Sequence, residues 1–544
     1  MKSYTRALSL VLGVLVTGCA APEEEEADTS NAAVSEGSRP FRPQMADASS
    51  WAWHTRQAKD DACTLSVAAR ATYDATVEAR NHVVLPDDLV LSKRNVAGPA
   101  FLSAGEMFPA LAALIAEAKY EVDIGFAMND VDSDPWHDVI GGLQRLYARL
   151  ASDKSGAERD PFVLRIILPH WFGDGNVQKV ASYIGAHLGP IDPSVMRVEI
   201  AAHKQVALGI MHVKLAVIDG VVVHAGGGNL THHQNYQDNA PHEQDSAYVV
   251  KGAIGKSALA HFDDLWNDNA TTAFDCSTAD MTCTRMRAKP RLAVAKPGVE
   301  GSGHVPEVAD PDLTRAGIPE DACLPMIFMA KKSTRNPFTG DTNNPIGRGF
   351  RAAFESSRSV LRVSTPNLNS KWAEMVERIV RARTTQVRLI LPQTFNDTMM
   401  FVPFFGGGTN RKTIKWMSKK VGGENIGIGK TLDARWFSID GRTIQRGGWE
   451  TGGRHIKYYS VDDTLAIIGS SNLDKQTMSR AREIGIAVDD PTVTARWDAK
   501  IFDQDFARAI SVDPNALPDT SLDTPDETMD DAPPEVQEEF AKGL

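Results

Sequence analysis

The chain has 544 residues, 42% of them hydrophobic and 24% charged, which is typical of a globular protein with one large or two medium cores. Its net charge of −12 disfavours long-range attraction to nucleic acid or anionic lipid. Much of that acidity is local, in Glu23–Glu26 and in the tail 513–539, so the charge of the whole chain says little against a polyanionic substrate.

The first residues have the pattern of an export signal. Lys2 and Arg6 precede the apolar run Ala7–Val16, which ends in Val16-Thr17-Gly18-Cys19. Small residues directly before a cysteine resemble the bacterial lipobox, in which that cysteine carries lipid. An ordinary signal peptide with an incidental cysteine is the alternative. We expect a lipoprotein-type signal peptide over 1–18 and lipidation at Cys19. This anchors the protein in the cell envelope, on the outer membrane, facing the periplasm or the exterior.

Four further cysteines lie at 63, 276, 283 and 323, an even number that permits disulfides in an exported protein. The short separation of Cys276 and Cys283 is compatible with a small loop, which would leave Cys63 with Cys323. All three pairings remain open from sequence. The spacing of these cysteines is not that of a zinc site.

A repeat begins near Phe101. Before it, we expect a disordered acidic tether over 19–45 and an ordered segment over 46–95 that packs on the first half. Helical and β-like spacing then alternate in the order helix Met107–Lys119, strand Glu121–Ala127, helix Trp136–Ala151, strand Phe162–Leu168, helix Asn176–Leu188, strand Val195–Ala201, strand His212–Asp219 and strand Val221–His224.

The second half repeats this order, and Leu391-Pro392 matches Leu168-Pro169. Its elements are helix Phe350–Ser357, strand Val360–Ser364, helix Lys371–Arg383, strand Gln386–Leu391, helix Arg411–Val421, strand Ala434–Ile439, strand His455–Asp462 and strand Leu465–Ile468. We predict an α/β protein made of two tandem α/β/α sandwich units with parallel-rich sheets and pseudo-twofold packing. The units span 46–284 and 324–512, with a linker over 285–323 and an acidic tail over 513–544.

Each half contains the same motif: His, one residue, Lys, four residues, Asp. The first copy runs from His212 through Lys214 to Asp219, and the second from His455 through Lys457 to Asp462. Each is followed by a glycine, small residues and an asparagine, and later by an acid. These are Gly226-Gly227-Gly228-Asn229 with Asp245, and Gly469-Ser470-Ser471-Asn472 with Glu483. Two copies in one order indicate two half-sites that meet in a single site.

The residue types suit phosphate chemistry. Residues two apart on a strand point to one side, so each histidine should share a face with the lysine of its motif. Two Lys, two Asn, the Ser470 and Ser471 hydroxyls and backbone N–H groups can bind phosphate oxygens. Two histidines can serve as nucleophile and as acid, then base, with Asp245 and Glu483 as candidates to orient their rings.

The paired motifs resemble those of the phospholipase D superfamily over roughly Ala100–Ile510. The resemblance implies two phospholipase D-like halves that act without metal or cofactor. His212 would form a phosphohistidine and His455 would be the general acid and base. Lys214, Lys457, Asn229 and Asn472 would hold phosphate oxygens, while Asp219 and Asp462 would be structural. Gly227 departs from the family, since many members have Ser there.

Two features outside the motifs leave alternatives. His232, His233 and His242 could bind a metal, but loop histidines near a site more often form hydrogen bonds or contact substrate, which is what we expect. The apolar run Met399–Phe405 could touch lipid beside the basic residues Arg411, Lys412, Lys415, Lys419 and Lys420. The other interpretation is a packed loop next to the solvated face of a helix.

These observations favour a phospholipase D-type phosphodiesterase that hydrolyses or transphosphatidylates phospholipid head groups. A cardiolipin synthase-like phosphatidyl transferase is an alternative, disfavoured because such enzymes usually carry transmembrane helices. A nuclease of the same superfamily would want a basic groove, and no long basic stretch is present. A non-catalytic envelope binding protein is the third alternative. We expect a monomer whose partners are phospholipid and membrane, without nucleic acid.

Overall fold

A computed structural model describes residues 48–57, 63–153, 160–170, 177–205, 209–236, 243–286, 312–334, 343–394, 409–439, 442–443 and 453–517. Several expectations lie outside these residues, namely the signal peptide, lipidation at Cys19, the tether, His242, the Met399–Phe405 run and most of the linker and tail.

An N-terminal segment precedes the repeat. It contains strand β1 (Arg56–Gln57), helix α1 (Val67–Val77) and strand β2 (Leu91–Ser92). The Ser66 side chain accepts a hydrogen bond from the Ala69 N–H at 3.2 Å and so caps the start of α1.

In the part of the first half that the structure describes there are nine strands and four helices. In chain order they are β3 (Asn95–Phe101), α2 (Ala104–Glu117), β4 (Glu121–Phe126), α3 (Asp134–Ser152), β5 (Phe162–His170), α4 (Val177–Leu188), β6 (Met196–Lys204), β7 (Lys214–Ile218), β8 (Val222–Gly226), β9 (Ala247–Gly252), α5 (Ile254–Trp266), β10 (Thr271–Asp275) and β11 (Thr284–Arg285).

The second half follows the same plan. It contains β12 (Ala322–Cys323), β13 (Met326–Lys331), α6 (Pro345–Glu355), β14 (Val360–Ser364), α7 (Ser370–Ala382), β15 (Gln386–Leu391), α8 (Asn410–Val421), β16 (Leu432–Trp436), β17 (Ser438–Ile439), β18 (Arg442–Thr443), β19 (Tyr458–Val461), β20 (Leu465–Gly469), β21 (Glu483–Asp489), α9 (Pro491–Trp497), α10 (Gln504–Arg508) and β22 (Ile510–Ser511).

The two large sheets have the same strand order. One runs β6-β5-β4-β7-β8-β9-β3 and the other β16-β15-β14-β19-β20-β21-β13, each with further short edge strands. This confirms the predicted α/β class and its internal repeat. The sheets are less parallel than expected, because only β4-β5-β6 and β14-β15-β16 pair in parallel. The later strands, such as β7 and β8, are joined by short turns, which permit only antiparallel pairing.

The first sheet is buried on both faces, because alternate side chains of its strands belong to two different cores. Leu215 and Val217 on β7 belong to a core shared with the second half. Ala216 and Ile218 face the other way, into the core beneath α2 and α3. Across the shared core, the Tyr248 and Tyr458 rings stack with centroids 6.0 Å apart. Separating the halves would therefore expose a large apolar surface.

The segment over 46–95 does not pack on the first half alone, which corrects the expected boundary at residue 46. Trp51 and Trp53 do contact the first-half core. Helix α1, however, packs against α6, and β2 pairs with β13 at the edge of the second sheet. The approach is close, because a Cβ atom at Gly349 would lie 2.6 Å from Thr76 Oγ1. The buried alanines of α1 join the shared core, which draws the helix there.

The structure resolves the disulfide pairing. Cys276 bonds to Cys283, and Cys63 bonds to Cys323. The second bond joins residues 260 positions apart and lies beside the pairing of β1 with β12. It therefore ties the N-terminal segment to the start of the second half. Among the described helices, none combines the length and the apolar character that a membrane span requires.

Candidate active site

The two histidines lie just before central strands rather than within them, which corrects the expected strands at 212 and 455. β7 begins at Lys214 and β19 at Tyr458. The backbone N–H of each histidine instead forms a hydrogen bond with the opposite half. His212 N donates to Arg482 O at 3.0 Å, and His455 N donates to Gln244 O at 2.8 Å. Each imidazole is therefore placed by both halves.

The carboxylates expected to orient the rings do so across the halves. His212 Nδ1 lies 2.8 Å from Glu483 Oε1, and His455 Nδ1 lies 2.8 Å from Asp245 Oδ2. Each contact places the imidazole Nδ1 against the carboxyl group and leaves Nε2 for chemistry. The His212 side chain is 14% exposed and that of His455 is 2% exposed. Each of these two histidine–acid pairs therefore needs one residue from each half.

Lys214 and Lys457 are buried beside these pairs. Lys214 Nζ donates to His212 O at 3.0 Å, and Lys457 Nζ donates to His455 O. Burial, followed by the charge of Lys457, lowers the pKa of Lys214 to about 7. Burial also lowers the pKa of Lys457. Two ammonium groups held this deeply favour an anion between them, because the anion would offset the cost of their burial.

The remaining ionisable groups of the site are shifted mainly by burial. Burial lowers the pKa of His212 and of His455 well below the usual value, and the neighbouring lysines add to the effect. Burial raises the pKa of Asp245 to about 6 and that of Glu483 to about 8, against the opposing pull of the lysines. Groups whose pKa values lie near neutrality suit proton transfer.

Asn229 and Asn472 follow the glycine turns as expected, and both are buried. Among the described residues, neither Oδ1 atom has a hydrogen-bond partner. Asn472 Nδ2 donates to Asp474 Oδ2 at 3.0 Å, which fixes that amide. Buried amide oxygens without a partner are uncommon and indicate room for a polar ligand.

The Ser470 hydroxyl is not arranged as a phosphate donor, which corrects that expectation, and a phosphate contact of Ser471 stays a prediction. Ser470 Oγ donates to Glu483 Oε2, and Ser471 Oγ lies 3.5 Å from Ile484 O. Ser470 thus supports the carboxylate that holds His212. Its counterpart Gly227 has no space for a side chain, because a Cβ atom there would lie 2.0 Å from Asp245 Oδ1. Gly227 thus stands beside the shorter acid, Asp245, whereas Ser470 stands beside the longer acid, Glu483.

Asp219 and Asp462 lie at the far ends of the strands that follow the histidines. Asp219 accepts hydrogen bonds from the backbone N–H groups of residues 119–121, and Asp462 from those of residues 358–360. Both adopt positive φ, of 53° and 52°. These aspartates hold the turn that leads into the neighbouring strand, so their place in the fold is structural.

The loop histidines contribute little to a metal site. His232 Nε2 lies 3.0 Å from Asp132 Oδ1 in an exposed pair. His233 O accepts a hydrogen bond from Glu243 N. The described group with suitable ligand atoms is Glu243, Asp245 and His455, whose atoms lie within 4.8 Å of one another. A cation there would have to displace the His455–Asp245 hydrogen bond and face Lys457, so these residues do not favour one.

Sequence reasoning missed three residues that build the site. Arg454, directly before His455, donates to Gln244 Oε1 at 2.7 Å and pairs with Asp505. Arg482, directly before Glu483, pairs with Asp264 at 2.9 Å. Glu243 lies two residues before Asp245, and this spacing could have revealed it, since alternate residues of an extended segment face one side.

Comparisons with known proteins bear on the fold and on one region of the sequence. Residues 350–506 match the family model described as "Cardiolipin synthase, PLD-like domain". No curated protein matches the sequence. The crystal structure of phosphatidylserine synthase from Haemophilus influenzae Rd KW20 superposes with a TM-score of 0.51 at 14% identity, covering 88% of this chain and 97% of that chain.

Two shorter structures also align, both with a TM-score of 0.22. NucT from Helicobacter pylori is 13% identical, covering 30% of this chain and 87% of its own. The phospholipase D family member Nuc from Salmonella typhimurium is 16% identical, covering 35% of this chain and 99% of its own. The match over 350–506 is therefore to a phospholipase D-like domain, and the whole chain is similar in fold to the phosphatidylserine synthase.

The two histidine–carboxyl pairs that cross between the halves, His212 with Glu483 and His455 with Asp245, should each be energetically coupled. In a double-mutant cycle on urea unfolding, His212→Asn and Glu483→Gln should show a coupling free energy of about 1 kcal/mol or more. His212→Asn with Asp245→Asn should show less than about 0.5 kcal/mol, because those residues share no hydrogen bond. Equal coupling free energies in the two cycles would contradict the pairing of His212 with Glu483 rather than Asp245.

Anion binding should take up protons near neutral pH. Tungstate between the lysines would raise the lowered pKa of Lys214, so binding at pH 8 should consume close to one proton, and uptake should diminish towards pH 6. Affinity should accordingly fall as the pH rises above about 7. Calorimetry in buffers of different ionisation enthalpy measures this uptake. Lys214→Met should abolish much of it, whereas the exposed Lys179→Met should not.

Proposed function

We propose that this chain is a phosphatidyl-transferring enzyme of the phospholipase D type. It opens a phospholipid phosphodiester through a covalent phosphohistidine and passes the phosphatidyl group to an alcohol, with water as a competing acceptor. The observation that carries the proposal is the pair of crossed histidine–carboxylate contacts beside two buried lysines. A binding module would need the lysines but not two imidazoles held for proton transfer.

The comparisons support transfer at least as well as the hydrolysis that the sequence favoured. The matched family model is named for cardiolipin synthase, an enzyme that makes a phospholipid. The similarity to the phosphatidylserine synthase, at 14% identity, is evidence for the fold alone.

The first chemical step joins the phosphate to one half-site. His212 Nε2 attacks phosphorus, and the bond from phosphorus to the head-group oxygen breaks. His455 Nε2–H gives its proton to that leaving oxygen, so that an alcohol departs. Lys214 and Lys457 offset the charge on the phosphoryl oxygens, and Glu483 stabilises the charge that develops on the His212 ring.

In the second step His455 acts as a base and His212 becomes the leaving group. His455 Nε2, now unprotonated, takes the proton of the incoming alcohol. The alcohol oxygen attacks phosphorus, and the bond to His212 Nε2 breaks. Asp245 holds the His455 ring in one orientation through both steps, as required of a group that is first acid and then base.

Cell-envelope location remains part of the proposal. Two disulfides, Cys63–Cys323 and Cys276–Cys283, suit an oxidising compartment. Together with the lipobox-like Cys19, they support an exported, lipid-anchored monomer whose substrate lies in the adjoining membrane.

Vesicles of phosphatidylglycerol with a primary alcohol test the proposal. The wild-type chain should release glycerol and form the phosphatidyl alcohol, and without added alcohol it should form cardiolipin, all read by mass spectrometry. His212→Ala and His455→Ala should each lower the rate roughly a thousand-fold or more. The surface variant Glu355→Gln should match wild type. Phosphatidic acid as the only product in excess alcohol would rule out transfer, and cleavage of single-stranded DNA alone would replace a lipid substrate by nucleic acid.

A further inference from the structure

The two half-sites are nearly equivalent, and Glu243 breaks the equivalence. Its side chain is 4% exposed, and its Oε2 atom lies 3.6 Å from His455 Nδ1. Gln234 Nε2 donates to the same oxygen at 2.8 Å, and Glu243 N donates to His233 O at 3.1 Å. The carboxyl group is therefore held on the Nδ1 side of His455, next to Asp245, by contacts that do not involve substrate.

The equivalent position in the other half is Ala481. The strand-end glycines Gly226 and Gly469 pair with Ala247 and Gly485, so Asp245 and Glu483 occupy matching positions two residues before these partners. Two residues further back stand Glu243 and Ala481. Among the described residues, His212 therefore has one carboxyl group at its Nδ1 side where His455 has two.

A buried lysine occupies the space on the Ala481 side. Lys331 Nζ donates to Ala481 O, and Lys331 is the cross-strand partner of Glu483. Its side chain is buried. An acid thus lies behind the carboxyl group that contacts one histidine, and a lysine, whose pKa burial lowers to about 7, lies behind the carboxyl group that contacts the other.

The surrounding charges preserve this difference. Glu243 faces Asp245, His455, Lys457 and Lys214, with His233 also acting on His455. On the other side, Lys331 faces Glu483, Arg482 and Asp474. Lys214 and Lys457 act on both histidines, so they do not distinguish them. Of the groups that differ, Glu243 and Lys331 are buried, and His233 acts on His455.

We propose that Glu243 is a positioning residue that acts through His455, and that with Lys331 it divides the chemical roles between two otherwise equivalent histidines. This proposal rests on the proposed function. Negative charge at Nδ1 stabilises the imidazolium, so Glu243 favours the form of His455 that can give a proton from Nε2 to the leaving oxygen. Lys331 offsets Glu483 and favours the neutral His212 ring, whose Nε2 lone pair attacks phosphorus.

The protonation of the cluster agrees with this division. Burial, followed by the charge of Asp245, raises the pKa of Glu243 to about 8. The corresponding values are about 6 for Asp245 and well below 6.5 for His455. Burial therefore favours the proton on the Glu243 carboxyl in the empty site, and a bound phosphate would favour its transfer to the His455 ring.

The test compares leaving groups in a single turnover. Glu243→Gln keeps the shape of the side chain and an oxygen for Gln234. With phosphatidylglycerol, which needs a proton on the leaving alcohol, the first-turnover rate should fall about tenfold or more. With phosphatidyl-p-nitrophenol, whose leaving group departs as an anion, it should fall much less. The alkaline limb of the rate profile with phosphatidylglycerol should also move to lower pH.

Lys331→Gln provides the second variant. It should slow both substrates equally, because nucleophilic attack is common to them, and should move the acidic limb to higher pH. Glu355→Gln is the matched surface control, and circular dichroism checks folding. Equal effects of Glu243→Gln on both substrates, no effect, or an unchanged acidic limb in Lys331→Gln would each overturn the proposal. Absence of p-nitrophenol release by wild type would instead overturn the proposed function.

Discussion

The structure depends on two crossed hydrogen bonds, each joining a histidine of one half to a carboxylate of the other. Backbone contacts repeat the crossing, since His212 N and His455 N both donate to carbonyls of the opposite half. Neither half can assemble either of these two pairs by itself. The shared core, the stacked Tyr248 and Tyr458 rings and the Cys63–Cys323 disulfide hold the halves in the register that these contacts require. Site assembly and packing of the halves are therefore a single event.

The internal repeat gives the site two similar half-sites, and small differences between the two copies make their side chains unequal. The shorter acid Asp245 leaves no space for a side chain at Gly227, whereas Glu483 is accompanied by the Ser470 hydroxyl. Such differences cost little in the fold, because they change side chains near strand ends and leave the strand order intact. They matter for the proposed chemistry because a phosphoryl transfer through an enzyme-bound intermediate needs one histidine to stay neutral and the other to carry a proton.

The sequence predicted the fold and the motif residues well, because both leave local periodic patterns that repeat. It could not show that Glu483 serves His212 and Asp245 serves His455, since spacing along the chain says nothing of how two halves pack. The same limit explains the misplaced segment over 46–95: the small apolar face of α1 indicates that the helix is buried, but not against which partner. Ser470 was misjudged because a hydroxyl beside a site can bind substrate or a neighbouring acid, and only coordinates distinguish these.

Rapid acid or base quenching during turnover of phosphatidylglycerol, followed by peptide mass spectrometry, tests the central claim that two half-sites form one covalent centre. We expect one phosphatidyl or phosphoryl group per chain, bonded to His212 and absent from His212→Ala. A group on His455, two groups per chain, or turnover without any protein-bound phosphate would contradict that claim.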